Sequence, residues 1–109
     1  MVYKDKMYVY GGMYEFMHNT NKLHAFDFDT NTWTLVETIN TPPAIDSHRC
    51  CLYGNEMIVG LGYSEYDFSA NIYSLDLDTF TWKTIFCAKK SQEKYPEPRT
   101  QASFCLQNN

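Results

Sequence analysis

Apolar and polar residues along this chain trade places every one or two positions within short runs, and Gly, Asn, Asp and Thr break the runs. No stretch of helix length repeats its apolar residues at 3.6-residue spacing, so the pattern predicts strands joined by tight turns. The most complete stretch predicts four strands, here called a to d: Arg49 to Tyr53, Glu56 to Leu61, Ile72 to Leu77 and Thr81 to Phe86. Gly54-Asn55 supplies the positive φ of an a-b hairpin, and Asp78-Thr79-Phe80 supplies a side-chain-capped turn between c and d. Asp29-Thr30-Asn31 does the same earlier in the chain.

The pattern also repeats. Ala25 to Trp33 returns as Ser74 to Trp82 at an offset of 49, with five of nine positions identical. Upstream, Lys6 to Gly12 corresponds to Glu56 to Gly62 at an offset of 50, and Cys51 to Asn55 matches Cys105 to Asn109 at an offset of 54. The chain therefore reads as an incomplete first repeat over 1–46, a second over 47–100 and the first strand of a third over 101–109. Strands b-c-d, then a-b-c-d, then a make eight. Four-stranded antiparallel sheets repeating at about 50 residues predict an all-β, propeller-type architecture. Trp33 and Trp82, on equivalent d strands, are expected to be deeply buried apolar anchors.

These residues resemble the kelch repeat: an apolar strand ending in Gly11-Gly12, then a spaced Asp27 and Trp33, with Pro98-Arg99 opening the next unit. The resemblance spans nearly the whole chain and implies kelch-type β-propeller blades. In places the chain departs from the family pattern. Leu61 stands where the first glycine of the pair belongs, Ile45 where the arginine appears as Arg99, and Ala102 where the histidine appears as His48.

Two blades leave two sheet faces uncovered, and closed propellers have about 4 to 8 blades. The chain is thus expected to be a partial propeller, part of a longer chain, or else a protomer of an assembled one. In the second reading the last strand a of one chain pairs with strand b of the next, and a homo-oligomer of three chains closes a six-bladed ring.

With 109 residues, 13 Asp and Glu against 9 Lys and Arg, and a formal charge of -4, the chain is one small, mildly acidic domain. It lacks the basic run that neutralises a phosphate backbone, which argues against nucleic acid and against an anionic membrane surface. Its apolar runs fall far short of the roughly 20 residues that span a bilayer. Lys4, Asp5 and Lys6 interrupt any leader-like start, so a cytoplasmic location is expected. Cys50, Cys51, Cys87 and Cys105 read as reduced, small buried hydrophobes, because no CxxC or HxxxH spacing suggests a metal.

Asp27-Phe28-Asp29 and Asp76-Leu77-Asp78 are paired carboxylates that could do acid-base work, but a site rebuilt in each repeat points to turn capping. The spacing of His18, His24 and His48 fits no ligand set, so no metal and no cofactor are expected. Signatures of a serine nucleophile, a phosphate loop or a dinucleotide fold are absent. The expected function is therefore non-catalytic. The alternatives are a fragment of a kelch-type enzyme whose active site lies in other blades, and a self-assembling scaffold.

In an antiparallel a-b-c-d sheet, the b-c and d-a connections share one end. The b-c loops, Met13 to Asn19 and Tyr63 to Ser69, are unusually aromatic for connections. Tyr14, Phe16, His18, Tyr66 and Phe68 are the candidate partner-binding residues, since aromatic side chains dominate interface hot spots. The alternative for each aromatic is packing against its own blade. On the same end the d-a segment Ala88 to Arg99 is long, charged and bounded by prolines. The resemblance implies that Arg99 grips an acidic peptide or a terminal carboxylate, or else hydrogen-bonds between blades. It also implies a protein or peptide partner and an adaptor role.

Overall fold

The computed structural model describes residues 1–15, 18–64 and 69–87. Every regular element among the described residues is a strand. In chain order they are β1 (Val2–Tyr3), β2 (Lys6–Tyr10), β3 (Met13–Tyr14), β4 (His18–Asn19), β5 (Leu23–Asp27) and β6 (Thr32–Val36). There follow β7 (Ile45–Asp46), β8 (Arg49–Tyr53), β9 (Glu56–Gly60), β10 (Tyr63–Ser64), β11 (Ile72–Asp76) and β12 (Thr81–Phe86). Two four-stranded antiparallel sheets result, one in the order β1-β2-β5-β6 and one in the order β8-β9-β11-β12. Strands a to d of the second repeat are β8, β9, β11 and β12, within one residue of the sequence expectation.

Local chemistry explains the turns. Asp76 Oδ1 accepts the backbone N–H groups of Asp78 (2.8 Å) and Thr79 (3.1 Å). Asp27 Oδ1 does the same for Asp29 (2.8 Å) and Thr30 (3.3 Å). Both c-d turns then place one residue in the left-handed region, Asn31 at φ 55° and Phe80 at φ 55°. The first aspartate of each pair thus serves as a turn cap, its carboxylate satisfying backbone donors that the ladder leaves over.

Three expectations need correction. The first repeat holds four strands in place of three, because Val2 and Tyr3 pair with Met7 and Lys6 as a short strand a. Its turn residue Lys4 (φ 47°) occupies the place of Gly54 (φ 61°) in the second repeat. The edge of β2 that the ring hypothesis assigned to another chain's strand is therefore already taken at Lys6 and Met7. Next, the tryptophans differ: Trp82 is 2% exposed, whereas Trp33 is 55% exposed. Both lie on the same face of their sheets, but that face looks toward the first sheet in the second repeat and away from the second sheet in the first. Finally, Cys50 and Cys87 are exposed rather than buried and Cys51 is half-buried, while Cys105 lies outside the described residues. Cys50 sits on β8, an edge strand whose opposite number, β1, has only two residues.

The core lies between the sheets. Tyr8, Tyr10, Leu23 and Ala25 of the first meet Met57, Val59, Leu75 and Trp82 of the second, with Ile45 of the connector between them. Tyr10 and Trp82 stand 4.6 Å apart, centroid to centroid. The connector also closes an edge. Ile39 donates to the Phe80 carbonyl (2.9 Å) and accepts from the Trp82 N–H (2.9 Å), forming a parallel bridge at Thr81. That covers part of the otherwise open side of β12.

Candidate interaction end of the two blades

Strand b of each repeat ends in two consecutive left-handed residues: Gly11 (φ 69°) and Gly12 (φ 101°), then Leu61 (φ 63°) and Gly62 (φ 88°). The substitution of leucine for glycine leaves the turn intact. In both repeats the first residue donates to strand c's approach, Gly11 to Lys22 O (3.1 Å) and Leu61 to Asn71 O (3.3 Å). The second accepts from the far side of the b-c loop, from Thr20 N–H (3.0 Å) and Ser69 N–H (2.8 Å). Leucine's side chain is tolerated in this conformation at a cost of about 1–2 kcal/mol. Glycine is obligatory where the connector presses close. A Cβ on Gly11 would lie 2.7 Å from Ile45 O, and one on Gly62 would lie 2.5 Å from Asp46 O.

The b-c and d-a connections do meet at one end. β7 of the connector pairs with β10 at the start of the second b-c loop, Asp46 opposite Tyr63. Gly12 donates to Ile45 O (2.8 Å), and Asn19 Nδ2 reaches Tyr63 O (3.3 Å). The first b-c loop is a small hairpin, β3 against β4, which opposes Tyr14 to His18 with ring centroids 5.9 Å apart. Met13 is 58% and Tyr14 54% exposed, and His18 is exposed as well. The structure therefore brings Tyr14 and His18 together as neighbouring, solvent-facing rings. Phe16, Tyr66, Phe68 and Arg99 lie outside the described residues.

Within the connector are two groups that no sequence motif marked as a site, Asp46 and His48. Asp46 is buried and His48 half-buried. The His48 ring meets Tyr10 edge-on at 5.8 Å. Burial holds the His48 imidazole below its ordinary value of 6.5, against the opposing pull of the Tyr10 backbone and the Asp46 carboxylate. His48 Nδ1, Asp46 Oδ2 and Trp82 Nε1 are buried without a hydrogen-bond partner among the described residues. Burial also pushes the Tyr10 phenol well above the usual range. No group of three His, Cys, Asp or Glu side chains among the described residues could hold a metal.

The opposite end is polar and self-satisfied. Asp78 takes the Tyr3 hydroxyl (3.1 Å), Lys4 Nζ (3.2 Å) and Asn55 Nδ2 (3.0 Å), tying the turns of the two sheets together. Those bonds, Asn55 first, hold its carboxyl below the usual range. A cleft of about 360 Å³ opens beside them, lined by Lys6, Asp27 and Asp29. Met13, Tyr14 and His18 are thus exposed at the loop end, while the opposite end pairs Lys4 with Asp78 and also exposes Phe28 and Tyr53.

Comparison with known proteins agrees with this architecture. Residues 1–109 match the family described as the KLHDC2/KLHL20/DRC7 Kelch-repeats domain. The chain is 33% identical over 94 residues to Kelch domain-containing protein 3 of Bos taurus, covering 84% of this chain and 24% of that protein. It is 32% identical over 87 residues to Kelch domain-containing protein 10 of Xenopus tropicalis, covering 74% of this chain and 21% of the other. The chain spans about a quarter of the length of these curated relatives. In three dimensions it is similar to the solved structure of YjhT, with a TM-score of 0.72 at 15% identity, over 83% of this chain and 37% of that one. With a family match over its full length and the paired left-handed residues ending strand b, capped c-d turns and sheet order repeated in both halves, the chain belongs to the kelch-repeat family.

Proposed function

We propose that the chain is a non-catalytic protein-interaction module, which presents the b-c and d-a connections of its blades to a protein or peptide partner. The observation that carries this reading is the β3-β4 hairpin. It holds Met13, Tyr14 and His18 in solvent on a backbone pinned at Gly12, Thr20 and Asn19. Rigid aromatic side chains bury much area on binding and lose little rotamer freedom, so such a hairpin is pre-organised for contact. Phe16, Tyr66 and Phe68 extend the same aromatic sequence in the two b-c loops, and Arg99 adds a planar donor for an acidic group. An adaptor role in the cytoplasm, as part of a larger kelch protein, is the setting that fits this reading.

Photocrosslinking tests it. With a photoreactive phenylalanine at position 14, and separately at position 29 on the opposite end, cells expressing the chain should yield defined adducts from position 14. Phe16→Ser and Tyr66→Ser should weaken them while circular dichroism stays unchanged. Equal adducts from both ends, or adducts indifferent to those substitutions, would sink the loop-end reading.

A further inference from the structure

The cleft of about 360 Å³ runs between the turns of the two sheets, the first contributing Lys4, Asp5 and Asp29 and the second Leu77 and Asp78. Four aspartates line it, Asp5, Asp27, Asp29 and Asp78, against two lysines, Lys4 and Lys6. One charge of each sign cancels, because Lys4 Nζ pairs with Asp78 Oδ1 at 3.2 Å. Asp27 Oδ1 is occupied by the N–H groups of Asp29 and Thr30. Among the described residues the carboxylates of Asp5 and Asp29 take part in no ion pair or hydrogen bond. Lys6 Nζ is also unpaired there, although Lys6 stands directly opposite Asp27 across the β2-β5 ladder. The cleft is therefore anionic, and its free acceptors outnumber its free donors.

Tyr8 separates this cleft from an ordinary acidic surface. The residue is packed in the core at 7% exposure, yet it lines the cleft, and its hydroxyl has no hydrogen-bond partner among the described residues. Burial holds the phenol above its ordinary value of 10.0, with Tyr3 and Asp78 pushing the same way and Lys4 opposing them. The groups that act on the hydroxyl are thus themselves lining groups, so it faces into the cleft. In the second repeat the equivalent position is Ile58, which shows that the blade does not require a hydroxyl there.

A ligand for this set must bring positive charge and several N–H donors to acceptors set apart from one another. No three His, Cys, Asp or Glu side chains among the described residues converge to hold a metal ion. A guanidinium has the required form: a planar fork of five donors with a delocalised, weakly hydrated charge. We propose that the cleft receives the guanidinium of an arginine from a protein or peptide partner, with Asp5 and Asp29 balancing its charge and the Tyr8 hydroxyl accepting one N–H. This site is separate from the loop end and does not rest on the reading given for it. The crosslinker at position 29 replaces one of these carboxylates and so still serves as the control for the loop end.

Titrating the isotope-labelled chain with N-acetyl-arginine amide at low salt, and following its amide resonances, tests the proposal. Signals of Lys6, Asp29 and Asp78 should move and saturate while those of Met13 and Tyr14 stay still. N-acetyl-citrulline amide, of the same shape without the charge, should give no saturation. Asp29→Asn and Tyr8→Phe should each weaken binding about threefold, and Lys6→Gln, which removes the opposing cation, should tighten it about threefold. Asp29 is exposed and its carboxylate holds no contact of the fold, so that variant decides the matter if Tyr8→Phe loses stability. Free L-arginine should bind no more tightly than the blocked form. Tighter binding of the free amino acid would make it the occupant in place of a partner's side chain and overturn the proposal. A citrulline response equal to that of arginine, an Asp29→Asn chain with wild-type affinity, or the absence of saturation would overturn it as well.

Discussion

Tyr10 and Trp82 form the joint between the two sheets, with ring centroids 4.6 Å apart and planes inclined at 50°. Tyr10 ends strand b of the first repeat, and Trp82 sits near the start of strand d in the second, so the pair couples distant parts of the chain. Trp82→Ala should cost about 3–5 kcal/mol, as expected for a large aromatic removed from a packed core. Trp33→Ala, the same change at the equivalent exposed position, should cost within about 0.5 kcal/mol. Urea unfolding midpoints of the two variants would separate them, and similar losses would contradict the placement of the two indoles.

Glycine substitution probes the connector. Gly62→Ala must place a Cβ 2.5 Å from Asp46 O and 2.8 Å from the His48 backbone, at a φ of 88°. Gly54→Ala meets nothing within 4 Å and pays only for its φ of 61°. The first should cost at least about 3 kcal/mol and shift the connector's amide resonances, while the second should cost about 1 kcal/mol.

Stability should fall on mild acidification through His48. The unfolded chain takes up its proton near pH 6.5, while the buried imidazole of the folded chain resists until lower pH. Below about pH 6.5 the unfolded state thus binds more protons, and folding free energy drops as pH falls until both states are charged. Denaturation midpoints measured between pH 7.5 and 5 should show that slope, and His48→Asn should flatten it. A variant with the wild-type slope would rule the group out.

The turn caps differ in reach. Asp76 Oδ1 holds the Asn55 side chain (3.2 Å) in addition to two backbone donors, whereas Asp27 Oδ1 holds only its two. Asp76→Ala should cost about 1–2 kcal/mol and Asp27→Ala about 1 kcal/mol, read as chemical denaturation shifts. Asp78, exposed and paired with Lys4, should matter less and progressively less with added salt.

Much of this molecule was legible from residues a few positions apart. Alternation placed β8, β9, β11 and β12 within one residue of their ends, and Asp27 and Asp76 announced turn caps because an aspartate and the backbone N–H groups it accepts from lie two and three residues apart. The offset of 49 established two equivalent blades, from which the kelch resemblance followed. Strand β1 escaped notice, since two residues carry no periodicity. Leu61 departs from the family's paired glycines, yet its backbone keeps the glycine conformation, with its N–H bonded to Asn71 O and the next residue, Gly62, accepting from Ser69.

What the tertiary structure alone decided concerns faces and burial. Trp33 and Trp82 have the same local sequence and the same strand position, and only the stacking direction of the sheets puts one in the core and the other in solvent. Asp46 and His48 look like ordinary connector residues until the chain folds that connector over the paired-glycine turns. The pairing of Tyr14 with His18 likewise depends on a hairpin whose ends are fixed by the Gly12 turn and, through Asn19, by Tyr63 of β10. Hydrophobic patterning specifies which residues share a face, but the partner of that face is chosen by long-range packing, which no local pattern records.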